Sequence, residues 1–410
     1  MKNRKIVPII VSVIAMLSVI CISSFIRGKP PQKQNNTDSV AVVSSKATSD
    51  TPESNEEMRG VWVSYMELSM ENEGSKTQKA FEDKFTKIAQ KCRDSGFNTL
   101  IVQVRPFCDA LYKSSYFPWS HILTGTQGKN PEYDALKIMC EICKENNLKI
   151  HAWVNPYRIS SNETPEKLSD NNPYKKNPEI GIETDNGIFL DPSNETAQHL
   201  ICDGVKEIAE NYDVDGIQFD DYFYPTKDED FDKKQYESYI EKYGKENCMS
   251  LDNWRMQNVN TLICNVYRTI KSVDSSVEFG ISPQGNINNN DGLYADVKSW
   301  CTCRGFVDYI CPQIYFSLEN PALTFEDCLD SWTSLDFDEN VKLYVGLGGY
   351  KAGNGDYDEE TWLLSDNILA DEYKILSNNK SVKGFMLYSY NCLEDDTAKK
   401  EVNNLINALN

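Results

Sequence analysis

Short apolar runs alternate with amphipathic stretches of helical spacing from Met58 to the end of the chain. Eight of the runs have the length and apolar content of buried strands, and they cover residues 60–65, 99–104, 149–154, 216–220, 277–282, 307–314, 341–346 and 382–387. Helical stretches lie between most of them, at residues 80–94, 134–146, 195–212, 253–273 and 359–378. Strands that alternate with helices form parallel sheets, and eight such units in one uninterrupted domain predict a closed (β/α)8 TIM barrel.

The connections that follow the second, third and fourth strands are long, at residues 105–133, 155–194 and 221–251. In a barrel of this kind the active site lies at the carboxyl ends of the strands, on the loops that lead into the helices. These three loops are rich in aromatic and polar residues, which suits a groove for sugar rings, although the same aromatic side chains could simply pack the loops. No glycine-rich phosphate loop follows the first strand, so nothing indicates a nucleotide site.

The N-terminal part of the chain differs in character from the rest. Basic residues within the first five positions precede an uncharged apolar stretch at 6–26, which is long enough to span a bilayer as a helix. We therefore interpret residues 1–26 as a membrane anchor, residues 27–57 as a flexible polar tether and residues 58–410 as the catalytic domain. A signal peptide that is cleaved, releasing a secreted protein, is the alternative, and both place the domain outside the cytoplasmic membrane.

The formal net charge of -20 argues against nucleic acid or an anionic membrane surface as the main partner, because both need a basic face. Most of the 13 cysteines lie inside apolar strands or helices, where a thiol behaves as a small hydrophobic group. Cys140 and Cys143 form a CxxC pair, but no second pair and no paired histidines complete a zinc site. The sequence therefore predicts structural thiols, no metal and no cofactor.

The fourth strand leads into the acidic motif Asp-Gly-Ile-Gln-Phe-Asp-Asp-Tyr-Phe-Tyr-Pro at residues 215–225. Strand alternation points Gly216, Gln218 and Asp220 into the barrel, so Asp220 lies at the mouth and Asp221 begins the loop. Two adjacent carboxylates repel each other, which raises the pKa of one of them and suits a general acid near neutral pH. Asp220 and Asp221 are therefore the predicted catalytic residues, and the structural alternative is a turn cap or an ion pair with an arginine.

Polar and aromatic side chains at the other strand ends complete the predicted site. The predicted substrate-binding residues are Arg105, Asp109, Trp153, Asn155, Tyr157, Arg158, Gln218, Tyr222, Tyr224, Gln284, Gln313, Tyr315 and Tyr390. Neutral donors, aromatic rings and a few carboxylates around one mouth are typical of a carbohydrate site. His151 lies in mid-strand and is interpreted as a hydrogen-bonded core histidine.

A second catalytic carboxylate across the scissile bond is not obvious. Ordinary glycosidases use two such groups, whereas here no acid ends the sixth strand and Glu319 lies further out in its loop. The candidates are Glu67, Asp109, Asp191 and Asp358, and Asp191 could equally cap the helix that follows it. In a substrate-assisted reaction the N-acetyl oxygen of the sugar attacks instead, so that a neighbouring acidic pair is sufficient.

We therefore hypothesise that Asp220 orients the acetamido group of the substrate and that Asp221 is the general acid. A competing interpretation is a non-catalytic barrel that binds glycans with the same groove. A polysaccharide deacetylase or another metal hydrolase is disfavoured, because no HExxH or paired-histidine motif is present.

Four segments of the chain resemble the glycosyl hydrolase-like 10 family, and the resemblance extends from Met58 to the C-terminal helix. These segments are residues 58–63, 97–105, 152–157 and 215–225. The resemblance implies a (β/α)8 barrel, an extracytoplasmic location and hydrolysis of glycans such as bacterial cell-wall polysaccharide.

The family motif carries over onto Asp220, Asp221, Tyr222 and Tyr224, while Gln218 stands where His or a similar polar group is expected. The resulting expectation is a glycoside hydrolase that acts on an N-acetylhexosamine-containing wall glycan of the peptidoglycan type and is held at the membrane by its N-terminal helix.

Overall fold

The computed structural model of the chain describes residues 57–162 and 164–409. The predicted membrane anchor at 1–26, and the predicted tether except for its last residue, lie outside the described residues. Within the described ranges, no helix is both long and apolar enough to cross a membrane.

Eight parallel strands close into a barrel, as the alternation of strands and helices predicts. The described strands are β1 Met58–Val63, β2 Thr99–Arg105, β3 Lys149–Val154, β4 Arg158–Ser161, β5 Gly181–Thr184, β6 Gly187–Leu190, β7 Gly216–Phe219, β8 Glu278–Ile281, β9 Tyr309–Ile310, β10 Lys342–Leu347 and β11 Val382–Leu387. The barrel order is β1-β11-β10-β9-β8-β7-β3-β2, with β2 returning to β1.

Helices surround this barrel. They are α1 Tyr65–Leu68, α2 Gln78–Asp94, α3 His121–Thr124, α4 Ala135–Glu145, α5 Pro173–Lys176, α6 Glu195–Asn211, α7 Lys233–Tyr243, α8 Leu251–Val273, α9 Val297–Thr302, α10 Phe325–Thr333, α11 Ile368–Asn378 and α12 Lys399–Leu409. Four of the five predicted helices match α2, α4, α6 and α8 to within two residues at each end.

The fifth predicted helix, at 359–378, is too long, because α11 begins only at Ile368. The chain before it forms a short 3-10 helix at Asp358–Leu363 in which Asp358, Glu359 and Glu360 have positive φ angles of 51°, 53° and 65°. Left-handed backbone is costly for residues with a side chain, so an α-helix cannot continue through this segment.

The sixth barrel strand is also shorter than predicted. It covers only Tyr309–Ile310, whereas the sequence predicts a strand over residues 307–314. Pro312 has no N–H group to donate to a neighbouring strand, and beyond it only isolated bridges connect Gln313 with Gln284 and Gly346.

The side chains inside the barrel alternate with outward-facing ones along each strand, as predicted. An inner cluster includes Trp62, Tyr309 and Met386, whereas Ile217 and Phe219 pack in the outer layer against the helices. Gly280 makes room for the inner ring of Tyr309, because a Cβ atom at Gly280 would lie 2.0 Å from carbons of that ring. A glycine here therefore lets a large side chain cross the barrel interior.

The loop after β3 contains an antiparallel sheet in the order β4-β6-β5, which the sequence did not predict. The next long helix, α6, is capped by Asn194, whose side chain accepts hydrogen bonds from the backbone N–H groups of Thr196 and Ala197. Asp191 therefore does not cap this helix, but it accepts bonds from the N–H and hydroxyl of Ser193 in the preceding turn.

Candidate active site

A cavity of about 330 Å³ opens at the carboxyl ends of the barrel strands. It is lined by Trp62, Trp153, Asp220, Asp221, Tyr222, Ser282, Gln284, Gln313, Tyr315, Tyr350 and Tyr388. These residues come from the ends of β1 and β3 and from the segments that directly follow β7 to β11. The position is the one at which barrels of this kind place their active sites.

Asp220 follows β7 directly and is 4% exposed. Its Oδ2 atom accepts hydrogen bonds from Nε1 of Trp153, at 2.9 Å, and from Nδ2 of Asn155. Its Oδ1 atom accepts a bond from the backbone N–H of Tyr222 at 3.3 Å. Asn155 is in turn oriented by Gln103, whose Nε2 donates to Oδ1 of Asn155 at 2.6 Å. The carboxylate of Asp220 is therefore fixed in place by three N–H donors.

Asp221 is held by two glutamines from the neighbouring loops. Nε2 of Gln313 donates to Oδ1 of Asp221 at 3.0 Å, and Nε2 of Gln284 donates to Oδ2. Gln313 also donates to the backbone oxygen of Ser282 at 3.0 Å, which orients its amide. Both donors to Asp221 are uncharged amides.

The two carboxyl groups have raised pKa values. Burial raises the pKa of Asp220 to about 7, and the negative charge of Asp221 acts in the same direction, while the positive charge of Arg158 opposes both. Burial also raises the pKa of Asp221 in spite of its hydrogen bonds from the glutamines. Because the two groups interact, the proton retained near neutral pH belongs to the pair rather than to one residue.

Aromatic rings form one wall of the cavity. Tyr315 and Tyr388 are stacked with their ring centroids 5.7 Å apart, and Tyr350 packs edge-on against both at 5.8 Å. Trp62 packs edge-on against Tyr388 at 6.0 Å. Flat apolar surfaces of this kind fit the apolar face of a sugar ring.

A buried chain of polar contacts beneath the cavity fixes the indole of Trp62. Nε1 of Trp62 donates to Oε1 of Gln218 at 2.6 Å, and Nε2 of Gln218 donates to the hydroxyl of Tyr309 at 3.2 Å. That hydroxyl lies 2.9 Å from Nδ1 of His151. Gln218 therefore lies below the cavity and positions Trp62, and His151 is a hydrogen-bonded core residue.

The structure places some of the predicted substrate-binding residues at the cavity and others elsewhere. Those that line it are Trp153, Tyr222, Gln284, Gln313 and Tyr315, while Asn155 contacts Asp220 from behind. Arg158 lies at its edge, with its guanidinium carbon 5.3 Å from the ring centroid of Tyr222.

Arg105 does not reach the mouth. The pairing of β2 with β3 shifts between Gln103 and Arg105, so that Arg105 pairs with Val154, whose side chain lies in the outer layer. This bulge turns Arg105 outward, where its guanidinium stacks on Phe117 at 4.5 Å. Simple alternation from Gln103 would point Arg105 inward.

Four further predicted residues lie away from the cavity. Asp109 is buried and accepts a bond from Gln127 at 2.9 Å. Tyr157 is buried where the chain turns between β3 and β4, and Tyr224 packs against Tyr294 with 5.0 Å between ring centroids. Tyr390 lines a separate groove of about 540 Å³ beside α1 and α2.

The candidate second carboxylates have structural partners. Glu67 completes the N-terminal cap of α1 and accepts a bond from the hydroxyl of Ser389 at 2.5 Å. Asp358 pairs with Lys351 at 2.9 Å, and Glu319 is exposed. Among the residues that the structure describes, Asp220 and Asp221 are the only carboxylates that line the cavity.

Trp62, Ser282, Tyr350 and Tyr388 also line the cavity but were not predicted as site residues. The parity of β1 and β11 could have found Trp62 and Tyr388, because inward residues alternate with outward ones along each strand. Tyr350 lies in a short 3-10 helix after β10, where no such pattern applies.

Within residues 57–162 and 164–409, no group of three or more His, Cys, Asp and Glu side chains is arranged to hold a metal ion. Cys140 and Cys143, which form the CxxC pair, are buried free thiols on α4. Burial raises the pKa of both.

A model of the glycosyl hydrolase-like 10 family matches residues 57–364. The chain belongs to this family. Among its relatives, the protein named glycosyl hydrolase YngK of Bacillus subtilis is 37% identical over 323 residues, which cover 74% of this chain but only 62% of that protein. The protein named glycosyl hydrolase DigH of Escherichia coli K12 is 31% identical over 406 residues, which cover 90% of this chain and 89% of the relative. The predicted membership is thus confirmed.

Solved structures share the barrel of this glycosyl hydrolase-like 10 protein at low sequence identity. The glycoside hydrolase domain of PgaB from Bordetella bronchiseptica has a TM-score of 0.57 at 10% identity, with 85% of this chain and 99% of that chain covered. The catalytic domain of β-amylase from Paenibacillus polymyxa has a TM-score of 0.55 at 12% identity, with 86% and 98% covered. At such identities the similarity establishes the fold alone.

Proposed function

We propose that this glycosyl hydrolase-like 10 protein is an extracytoplasmic enzyme that cleaves glycosidic bonds in a cell-wall glycan containing N-acetylhexosamine. The observation that carries the proposal is the Asp220–Asp221 pair, because no other carboxylate among the described residues lines the cavity. A general acid that works near neutral pH must keep its proton. Burial raises the pKa of both carboxyl groups, so the interacting pair retains a proton near neutral pH, as this requires.

The reaction begins with attack by the acetamido oxygen of the substrate on its own anomeric carbon. The bond from that carbon to the leaving sugar breaks, and the leaving oxygen takes the proton of Asp221. A water molecule then attacks the anomeric carbon of the cyclic intermediate and gives its proton to the Asp221 carboxylate, which reopens the ring and restores the acetamido group. The products are two shorter glycans, and the enzyme returns to its starting state.

The hydrogen bonds of the pair support this division of roles. Asp220 accepts three N–H donors, which stabilise an ionised carboxylate. An ionised Asp220 can orient the N–H of the acetamido group and stabilise the positive charge that develops on it. Asp221 accepts bonds from the side-chain amides of Gln284 and Gln313, and in the proposed reaction it carries the proton that the pair shares.

The walls of the cavity supply the remaining contacts that a sugar needs. The rings of Tyr315, Tyr350 and Tyr388 form an aromatic wall on one side. The side-chain oxygens of Gln284 and Gln313 can accept bonds from sugar hydroxyl groups, and the second N–H of Gln284 can donate one. Such polar contacts are the usual means of fixing the orientation of a polar ligand. The partner is therefore a polysaccharide.

The proposed location depends on the N-terminal segment. The apolar stretch at 6–26 in the sequence would hold the enzyme at the membrane, and the polar tether at 27–57 would let the barrel reach the wall polymer. Protease accessibility of the barrel in intact cells tests this directly, and protection from added protease would contradict it.

The activity is tested by mass analysis of the products formed from a panel of purified wall glycans with and without attached peptides. We expect wild-type protein to release new reducing ends from an N-acetylated glycan, and Asp220→Asn and Asp221→Asn each to lower the rate by at least 100-fold. A barrel that binds the glycan but releases no reducing ends would instead be a glycan-binding protein. If both variants kept turnover within a few-fold of wild type, the assignment of the pair would be wrong.

A further inference from the structure

Arg158 is held rigidly at the edge of the active-site cavity. Its Nε atom donates to the backbone oxygen of Pro106 at 2.7 Å. Its guanidinium carbon lies 4.8 Å from the ring centroid of Phe107 and 5.3 Å from that of Tyr222. Because these aromatic contacts and the bond to Pro106 fix the plane of the guanidinium, its direction is set before any ligand arrives.

The two terminal nitrogens of this guanidinium have no hydrogen-bond partner among residues 57–162 and 164–409, and Arg158 forms no ion pair with the carboxylates described there. No lysine or arginine of the described residues lines the cavity. The nearby cation Lys351 is bound to Asp358 and to the backbone oxygen of Tyr315, behind the aromatic wall. Within the part of the chain that the structure describes, Arg158 is therefore a positive charge at the cavity edge whose terminal N–H groups are left for a ligand.

The geometry and charge of the Arg158 guanidinium indicate which class of ligand it can bind. A planar guanidinium donates two parallel hydrogen bonds to a carboxylate, with a geometry that a neutral hydroxyl cannot match. A single cation balances the one charge of a carboxylate, whereas a phosphate carries up to two. The overall charge of -20 disfavours densely charged polyanions. The best match is therefore a glycan with one carboxylate on an occasional sugar.

We propose that Arg158 forms an anion subsite that binds a carboxylate carried by the glycan, next to the sugar whose bond is cleaved. The inference rests on the proposed function in so far as the ligand is a glycan, and it adds a determinant of which glycans are preferred. The carboxylate comes either from a lactyl ether, as in muramic acid, or from a uronic acid. Both sources present the same planar anion to the guanidinium.

A bound carboxylate also changes the electrostatics of the Asp pair. The positive charge of Arg158 lowers the pKa of Asp220, and a ligand carboxylate neutralises that charge. The pair then keeps its proton to higher pH when the substrate is carboxylated than when it is neutral. The basic limb of the pH–rate profile should shift upward accordingly, and only while Arg158 is present.

The test uses the full chain and two ligands that differ in one group. One is a tetrasaccharide of alternating N-acetylglucosamine and N-acetylmuramic acid, and the other is the same tetrasaccharide with its lactyl carboxyl groups converted to primary amides. Isothermal titration into the Asp221→Asn variant measures both affinities without turnover. We expect the carboxylate to bind about 10- to 100-fold more tightly than the amide, as for a charge-assisted bidentate pair.

Arg158→Gln in the same background should reduce this ratio to about one, and Arg158→Lys should restore it only in part. The matched control is Arg304→Gln, which removes an exposed arginine paired with Asp338 and should leave the ratio unchanged. An equal loss of affinity for both ligands in Arg158→Gln would show that Arg158 only supports Tyr222, and it would overturn the inference. So would equal binding of acid and amide by the protein with Arg158 intact.

A hyaluronan tetrasaccharide, which carries its carboxylate on the sugar ring, separates the two sources. Binding of this ligand that depends on Arg158 assigns the subsite to uronic acids, and binding of the muramic acid ligand alone assigns it to lactyl ethers. Binding and hydrolysis are measured separately. If a carboxylated glycan binds through Arg158 but the wild-type protein cleaves none of the glycans, the proposed function fails and the anion subsite stands.

Discussion

Replacement of Lys351 by methionine is expected to loosen the aromatic wall of the cavity. Nζ of Lys351 donates to the backbone oxygen of Tyr315 at 2.6 Å and pairs with Oδ1 of Asp358 at 2.9 Å. The side chains of Lys351 and Asp358 are only 10% and 12% exposed. Methionine preserves most of the length and volume of the side chain, so the substitution mainly removes the charge and its donors.

The loss of stability in Lys351→Met depends on the hydrogen bonds that Asp358 retains in the variant. Its Oδ2 atom still accepts a bond from Nε1 of Trp362 at 2.8 Å. Breaking a fully buried ion pair costs about 3–5 kcal/mol, and a charge-assisted hydrogen bond contributes about 1.5–3 kcal/mol. Because Asp358 retains a donor, we expect the free energy of unfolding to fall by about 3 kcal/mol.

The assays are denaturant unfolding and steady-state kinetics on a soluble glycan. Tyr315 and Tyr350 are expected to contact the sugar but not the scissile bond, so KM should rise by about 10-fold while kcat stays within about 3-fold. Lys351→Arg, which can rebuild the pair with Asp358, should recover much of both losses. Stability within about 0.5 kcal/mol of wild type, or a fall in kcat as large as the rise in KM, would refute the reasoning.

Two further substitutions probe the buried polar groups. Burial raises the pKa of Glu401 from 4.5 to about 7. The folded protein therefore binds this proton more tightly than the unfolded chain does. Its free energy of unfolding falls as the pH rises from about 4.5 through about 7, because the unfolded chain loses the proton first. Glu401→Gln should therefore be more stable than wild type by about 2 kcal/mol at pH 8 but similar to it at pH 4, and equal stabilities at pH 8 in chemical unfolding would contradict this. Gln218→Leu leaves Nε1 of Trp62 without its acceptor, which should lower the free energy of unfolding by about 1–3 kcal/mol and change the tryptophan fluorescence. An unchanged spectrum and unchanged stability would show that Gln218 does not position Trp62.

The barrel was predictable because the local sequence pattern determines each of its strands and helices. Each buried parallel strand needs an apolar run, and each crossover needs an amphipathic helix, so eight alternations determine the closed sheet. The antiparallel sheet of β4, β5 and β6 was not predicted. Its strands are only four residues long and partly exposed, and their apolar and polar residues do not alternate clearly. Short strands of this kind depend on their neighbours more than on their own sequence.

The site was predictable where strand parity holds. Asp220 lies at the end of a regular strand, so alternation from Gln218 places it at the mouth. Alternation fails for Arg105, because a bulge in β2 turns the side chain outward. It is uninformative for Tyr350, which reaches the cavity from a short 3-10 helix. Loop contacts of this kind arise from tertiary packing, and a single sequence does not encode them in any periodic pattern.

The roles of the two aspartates are separated most directly by the turnover of an aryl N-acetylhexosaminide, whose leaving group needs no proton, compared with that of the glycan. For Asp221→Asn we expect kcat/KM for the glycan to fall by about 10²–10⁴-fold and kcat/KM for the aryl glycoside to stay within about 10-fold of wild type. This parameter reports the steps up to departure of the leaving group, and in those steps only the glycan requires a general acid. Asp220→Asn should lose at least about 100-fold on both substrates, because the acetamido group then lacks its carboxylate partner. Equal losses on both substrates in Asp221→Asn would contradict its role as the general acid.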